Sequence, residues 1–151
     1  MPARSEIDPL DLRFCLGWVC IVDVEYAPGP RFRFRLDGSK LVDLTGFDLT
    51  GKYIDQIESE DYRQLSAMVY GTVVNTKAPL FLGNMEDWLD RGLYMESVTL
   101  PLSDNGAYVT GVMEVICPAV AEVRRLPGRN PWKPVTRCGT SFGSDEGFDE
   151  R

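Results

Sequence analysis

The residues from Gly46 to Lys52, GFDLTGK, carry the G-x-x-x-x-G-K spacing of a phosphate-cradling loop. That chemistry needs a Ser or Thr hydroxyl after the lysine to hold magnesium. It also needs a buried strand before the loop and a helix whose N-terminus points at the phosphate. Tyr53 stands at the hydroxyl's position, and the preceding segment reads as a short helix. The stretch is therefore two glycine turns rather than a nucleotide-hydrolysing loop. A second group is Asp23, Glu25, Glu96 and Glu114 on strand-like runs, with Tyr62 on a helical one. An inward pair, Tyr62 with Glu96 or Glu114, could do acid/base work as an isomerase or dehydratase on a hydrophobic metabolite. Beside Arg31, Arg33 and Arg35 the same acids fit cross-strand salt bridges on a solvated or interfacial face better. Cys15, Cys20, Cys117 and Cys138 show no C-x-x-C pair, so no zinc ribbon or dithiol motif is implied. They read as reduced, buried thiols. The chain has no histidine, which excludes histidine-ligated haem, Cys/His zinc sites and histidine acid/base catalysis within it.

The elements that must position these residues begin with composition. A chain of 151 residues, 44% hydrophobic and 26% charged, is expected to fold as one globular domain. A net charge of −7 argues against a nucleic-acid or anionic-membrane surface, since both need a basic field. No apolar run approaches about 18 residues, and the N-terminus MPARSEIDPL lacks a signal core. A cytoplasmic location is the expectation.

Ile7 to Leu16 is expected to be helical, capped by Asp8 with Pro9 in its first turn. Trp18 to Glu25 reads as a strand with apolar residues on both faces, its outer face covered by that helix or by a partner. Arg31 to Asp37 alternates strictly, with Phe32, Phe34 and Leu36 on one face and three arginines on the other. Ser39 is placed to cap a short helix carrying Leu41 and Leu44, which Gly46 ends. Tyr53 to Ile57 fits one helical turn. A longer helix then starts at Ser59 with Glu60 and Asp61 in its first turn, repeats apolar residues from Tyr62 to Val73, and stops before Pro79. Leu80 to Met85 is a strand, and Trp88 to Arg91 a turn. Leu93–Leu102 and Ala107–Cys117 read as a hairpin around Asn105-Gly106, a pair suited to a type I′ turn. Past Pro118 the chain is polar and punctuated by Pro127, Pro131 and Pro134, with Trp132, Phe142 and Phe148 as isolated apolar residues.

Two segments in order carry a family resemblance. The first is Phe34, Arg35, Gly38, Ser39, Leu41, Leu44, Gly46, Asp48, Leu49, Thr50, Gly51 and Lys52; the second is LPLSDNG over 100–106. They resemble the signature of a family of small, often stand-alone bacterial PAS proteins of alphaproteobacterial type, over roughly Leu16 to Pro118. The resemblance implies an α+β fold: a five-stranded antiparallel sheet with helices packed on one face. The PAS domain would span 18–118, between an N-terminal helical extension over 1–17 and a largely flexible C-terminal tail over 119–151. First and last strands would be neighbours, bringing Cys20 and Cys117 onto adjacent strands.

The function implied is a sensory or protein-interaction module in bacterial signalling, homodimeric, regulating a separate partner protein. A small hydrophobic ligand or a dimer rearrangement would drive it. The walls of a ligand cavity would be Cys20, Phe34, Leu36, Leu41, Leu44, Ile57, Tyr62, Leu65, Val69, Phe81, Met95 and Met113. Ser97 and Thr110 would join Cys20 and Tyr62 as polar anchors. The same apolar stripe also reads as a filled core. No cofactor is assigned: the family's flavin photosensors carry an Asn-Cys-Arg-Phe helix motif with no counterpart here.

Overall fold

The computed structural model describes residues 1–86, 93–119 and 135–136. Its sheet is antiparallel and runs in the order β2-β1-β5-β4-β3. The strands are β1 Val19–Tyr26, β2 Pro30–Leu36, β3 Leu80–Glu86, β4 Leu93–Leu102 and β5 Gly111–Ala119. A two-residue strand, β6 Val135–Thr136, pairs with β3 through Leu82 and Gly83. The rest of the 119–151 extension and the Trp88–Arg91 turn lie outside the described residues. First and last main strands are neighbours, with Ile21 opposite Met113 and Cys20 opposite Glu114.

Two α-helices cover one face: α1 Ser39–Thr45 and α2 Glu60–Thr76. The α2 helix begins where Ser59 accepts a hydrogen bond from the Tyr62 amide at 3.4 Å. It ends at Lys77, which takes a left-handed conformation with φ 54°. Its buried residues, Ser66, Val69, Tyr70, Val73 and Val74, face the sheet. Against them lie Cys20, Val22 and Val24 of β1, Phe32 and Phe34 of β2, and Val112 of β5. Each large side chain so buried contributes about 1.5–3 kcal/mol.

The chain between β2 and α2 is stitched across the sheet edge. The Phe34 amide donates to Lys52 O at 2.9 Å and the Gly51 amide to Phe34 O at 2.7 Å. Gly46 and Gly51 sit at φ 83° and 85°, where a side chain would be strained. Gly38, not Ser39, is the N-cap of α1, and no side chain caps that helix. A Cβ at Gly38 would lie 2.4 Å from Gly17 O, so this crossing needs glycine.

The N-terminal helix expected over Ile7–Leu16 does not form. Residues Arg4–Glu6 and Leu16–Trp18 make 3₁₀ turns, and the bonds between them are also of i to i+3 type, such as the Leu12 amide to Pro9 O and the Cys15 amide to Leu12 O. The segment is a strap over the sheet's second face. Ile7, Leu12 and Cys15 cover Val19, Ile21, Leu100, Leu102, Met113 and Val115. The Ser103 amide ties the strap down through Pro2 O at 2.9 Å.

The β4–β5 connection is wider than a type I′ turn. Residues 103–110 form the loop, and only Gly106 there has positive φ, whereas type I′ needs two. Asn105 Oδ1 instead accepts from the Ala107 amide at 2.9 Å and the Tyr108 amide at 3.2 Å. Ser103 Oγ donates to Tyr108 O at 2.6 Å. Among the described residues no helix is long and apolar enough to cross a membrane.

Candidate functional site

Between α1, α2, the 46–49 loop and the sheet lies a cavity of about 80 Å³. Its apolar walls include Leu41 and Leu44 of α1, Phe47 and Leu49 of the loop, and Tyr62, Leu65 and Val69 of α2. The sheet adds Cys20, Leu82, Met95, Ser97, Glu114 and Ile116. Asp37, Thr45, Ser66 and Tyr70 complete the lining.

The cavity thus gathers Cys20, Leu41, Leu44, Tyr62, Leu65, Val69 and Met95 from the residues expected to line it. Five others lie elsewhere. Phe34 and Ile57 are buried in the neighbouring core. Leu36, at the end of β2, is 42% exposed. Phe81 is 63% exposed because the inward residue of β3 is Leu82. Met113 is buried on the opposite face, under the strap, because its neighbour Glu114 points inward. Of the proposed anchors, Ser97 reaches the cavity and Thr110 does not; Thr110 Oγ1 instead donates to Asp104 in the hairpin loop at 2.9 Å.

Glu114 is the feature the sequence concealed. Its side of β5 was expected to be a salt-bridged surface, yet the residue is only 8% exposed. Tyr70 donates its hydroxyl to Glu114 Oε2 at 2.8 Å, and Thr99 donates to Oε1 at 3.4 Å. The Ser97 hydroxyl also acts on this carboxyl. Burial pushes the Glu114 carboxyl above its ordinary range, while the three hydroxyls pull it partly back. Burial likewise pushes up the Tyr70 hydroxyl and the Cys20 thiol, with the Glu114 charge adding to both. Cys20 is therefore a poor thiolate and fits a buried structural residue. Cys117 is exposed, three residues beyond Glu114, and Cys20 faces Glu114 in the register rather than Cys117.

Asp37 stands at the cavity's edge, where β2 meets α1. Its Oδ2 accepts from the Leu49 amide at 3.2 Å, and its own amide donates to Thr50 Oγ1 at 3.1 Å. Burial raises this carboxyl too, against the pull of the Leu49 amide. The remaining acids behave as expected of a solvated sheet edge. Asp23 pairs with Arg35 at 3.0 Å, and Glu25 accepts from the Tyr53 hydroxyl at 3.1 Å. Arg31 pairs with Asp55 at 2.9 Å and lies 3.7 Å over the Tyr53 ring. Glu96 is exposed, so of the two candidate acid/base pairs only Tyr62 with Glu114 reaches the cavity. Among the described residues, no group of three or more His, Cys, Asp or Glu side chains could hold a metal ion.

A five-stranded antiparallel sheet in this order, with helices on one face and a cavity beneath them, makes a small α+β fold. The family described as PAS domain matches residues 1–114, and the chain belongs to it. The match includes the strap over 1–17. No curated protein matches the chain. Among solved structures, the histidine kinase ThkA, crystallised in complex with the response regulator protein TrrA, is similar at 20% identity and a TM-score of 0.47. That likeness covers 69% of this chain and 29% of the kinase chain, so this chain spans under a third of that protein's length. PAS domains are typical of signalling sensor modules and are generally not enzymes.

Proposed function

We propose that this PAS domain is a cytoplasmic ligand sensor that regulates a separate signalling protein, and that it works as a homodimer. The observation that carries the reading is the alternation along β5. Val112, Glu114 and Ile116 face the helices, with Glu114 and Ile116 on the cavity, while Met113 and Val115 pack under the N-terminal strap. A ligand that displaced Glu114 would move the next residue on the opposite face. It shifts the balance between two strap positions only as far as it binds one of them better. The strap leaves Leu10, Phe14 and Leu16 exposed, Phe14 by 80%. Large apolar side chains so placed fit a second copy or a partner protein.

The test is a thermal-shift screen of small metabolites against the wild-type chain and Ser66→Leu. Ser66 lines the cavity, so leucine there puts bulk into it. A ligand at 100 times its Kd stabilises by about 2.7 kcal/mol. Compounds that stabilise the wild type and not the variant support the reading. A screen in which every stabilising compound acts equally on both contradicts it.

A further inference from the structure

The cavity's charges are of one sign. Its ionisable side chains are Glu114 on β5, Asp37 at the end of β2, Tyr62 and Tyr70 on α2, and Cys20 on β1. Neither lysine nor arginine stands among the lining residues described, and the chain has no histidine. An anionic ligand would meet two acids and no cation. The one basic residue of α1, Lys40, is exposed and lies 5.5 Å from the Trp18 ring centre.

Glu114 also keeps binding capacity in reserve. An ionised carboxylate has about four acceptor sites. Tyr70 and Thr99 occupy two, with the Ser97 hydroxyl beside them. The walls supply aromatic rings from Phe47, Tyr62 and Tyr70, and such rings attract cations by their quadrupole. Leucine, valine and isoleucine side chains add aliphatic surface suited to alkyl groups, among the hydroxyls of Thr45, Ser66 and Ser97. At about 80 Å³ the space is smaller than the roughly 150 Å³ of an apolar cavity that binds benzene, which sets the scale of the ligand at a few heavy atoms.

We propose that this cavity takes a small alkylammonium ion, its charged nitrogen on the Glu114 carboxylate and its alkyl groups among Phe47, Leu65 and Met95. The proposal rests on the ligand-sensing reading of the cavity. Binding requires Glu114 to give its proton to solvent, so affinity rises with pH while the ammonium stays charged. Asp37 is the second acid that faces the cavity, and burial raises the Cys20 thiol and the Tyr70 hydroxyl, which stay protonated through neutral pH.

The experiment is calorimetric titration of the full chain with trimethylammonium, with tert-butanol as a neutral counterpart and pivalate as an anionic one, between about pH 5 and pH 8. Glu114→Gln keeps an acceptor for the Tyr70 hydroxyl and removes the charge; Asp43→Asn, at an exposed acid of α1 outside the cavity lining, serves as the control for general acidity. The expected result is trimethylammonium binding that strengthens as pH rises over that range, with tert-butanol and pivalate at least about tenfold weaker. Glu114→Gln should lose that preference and Asp43→Asn keep it. If tert-butanol binds as well as trimethylammonium, or Glu114→Gln binds the ammonium undiminished, the proposal is overturned while the sensing reading stands. If none of the three binds, even at millimolar concentration, the proposal falls, and the sensing reading is decided by the wider thermal-shift screen.

Discussion

Tyr70→Phe removes one hydroxyl from the cavity floor and keeps the ring. The ring's contacts with Phe32 at 5.6 Å and Phe34 at 6.3 Å between centroids should survive. What is lost is the 2.8 Å hydrogen bond to Glu114 Oε2 between two buried groups. While Glu114 is protonated, that loss is expected to cost about 1 kcal/mol. Once Glu114 ionises, the same hydroxyl serves a charge, and the loss grows to about 2–3 kcal/mol. The sign follows from linkage. Burial holds the folded carboxyl above its ordinary value of 4.5, so the folded chain keeps this proton to higher pH than the unfolded chain. The stability it contributes is full below the unfolded value and is lost as pH rises through the folded one. The Tyr70 hydroxyl is among the groups that hold the carboxyl down, so deleting it raises the folded value further and deepens the loss. Urea unfolding followed by tryptophan fluorescence, wild type against variant, between about pH 4 and pH 8 reads the difference. A penalty that stays flat or shrinks as pH rises would refute the reasoning.

Other outcomes follow from the same coordinates. Gly38→Ala puts a methyl 2.4 Å from Gly17 O, and the urea midpoint should fall by the equivalent of about 2 kcal/mol or more. Leu82→Ala enlarges an existing cavity and should cost about 2–3 kcal/mol, the low end for a buried leucine. Asp37→Asn keeps an acceptor for the Leu49 amide and removes a half-buried charge. Because the folded Asp37 carboxyl is raised, the variant should gain stability over wild type above that value and match it in acid, as paired urea titrations would show. Phe14→Ser should leave unfolding unchanged to within about 0.5 kcal/mol, since the side chain is exposed, yet shift the native mass toward monomer. A native mass equal to that of the wild type would remove the strap from the proposed dimer interface.

The backbone of the fold was legible where local chemistry and global packing agree. RFRFRL alternates as a strand must, and Phe32 and Phe34 do point inward. Gly46 and Gly51 mark left-handed turns, and Ser59 starts the long helix. The N-terminal segment misled because Asp8-Pro9 is a helix-start signal of any length. Leu12 and Cys15, three apart, face the sheet in a 3₁₀ strap that no α-helical stripe describes. On β3, Leu80, Phe81 and Leu82 are all apolar, so alternation could not choose the inward face. Glu114 was hidden for a different reason. An acid beside a methionine on a strand ordinarily points to water. Here three hydroxyls from α2 and β4, 44 and 15 residues away for Tyr70 and Thr99, make the inward position tolerable. Nothing local to VMEVI announces them.

Met95 lines the cavity and Met113 lies on the other face of the sheet, under the strap. Methyl NMR of the methionines during a titration with trimethylammonium or tert-butanol therefore reads occupancy and relay together. Both resonances moving along one saturation curve is the result expected of a sensor. Met95 responding while Met113 stays still, or neither responding to any added compound, would contradict it.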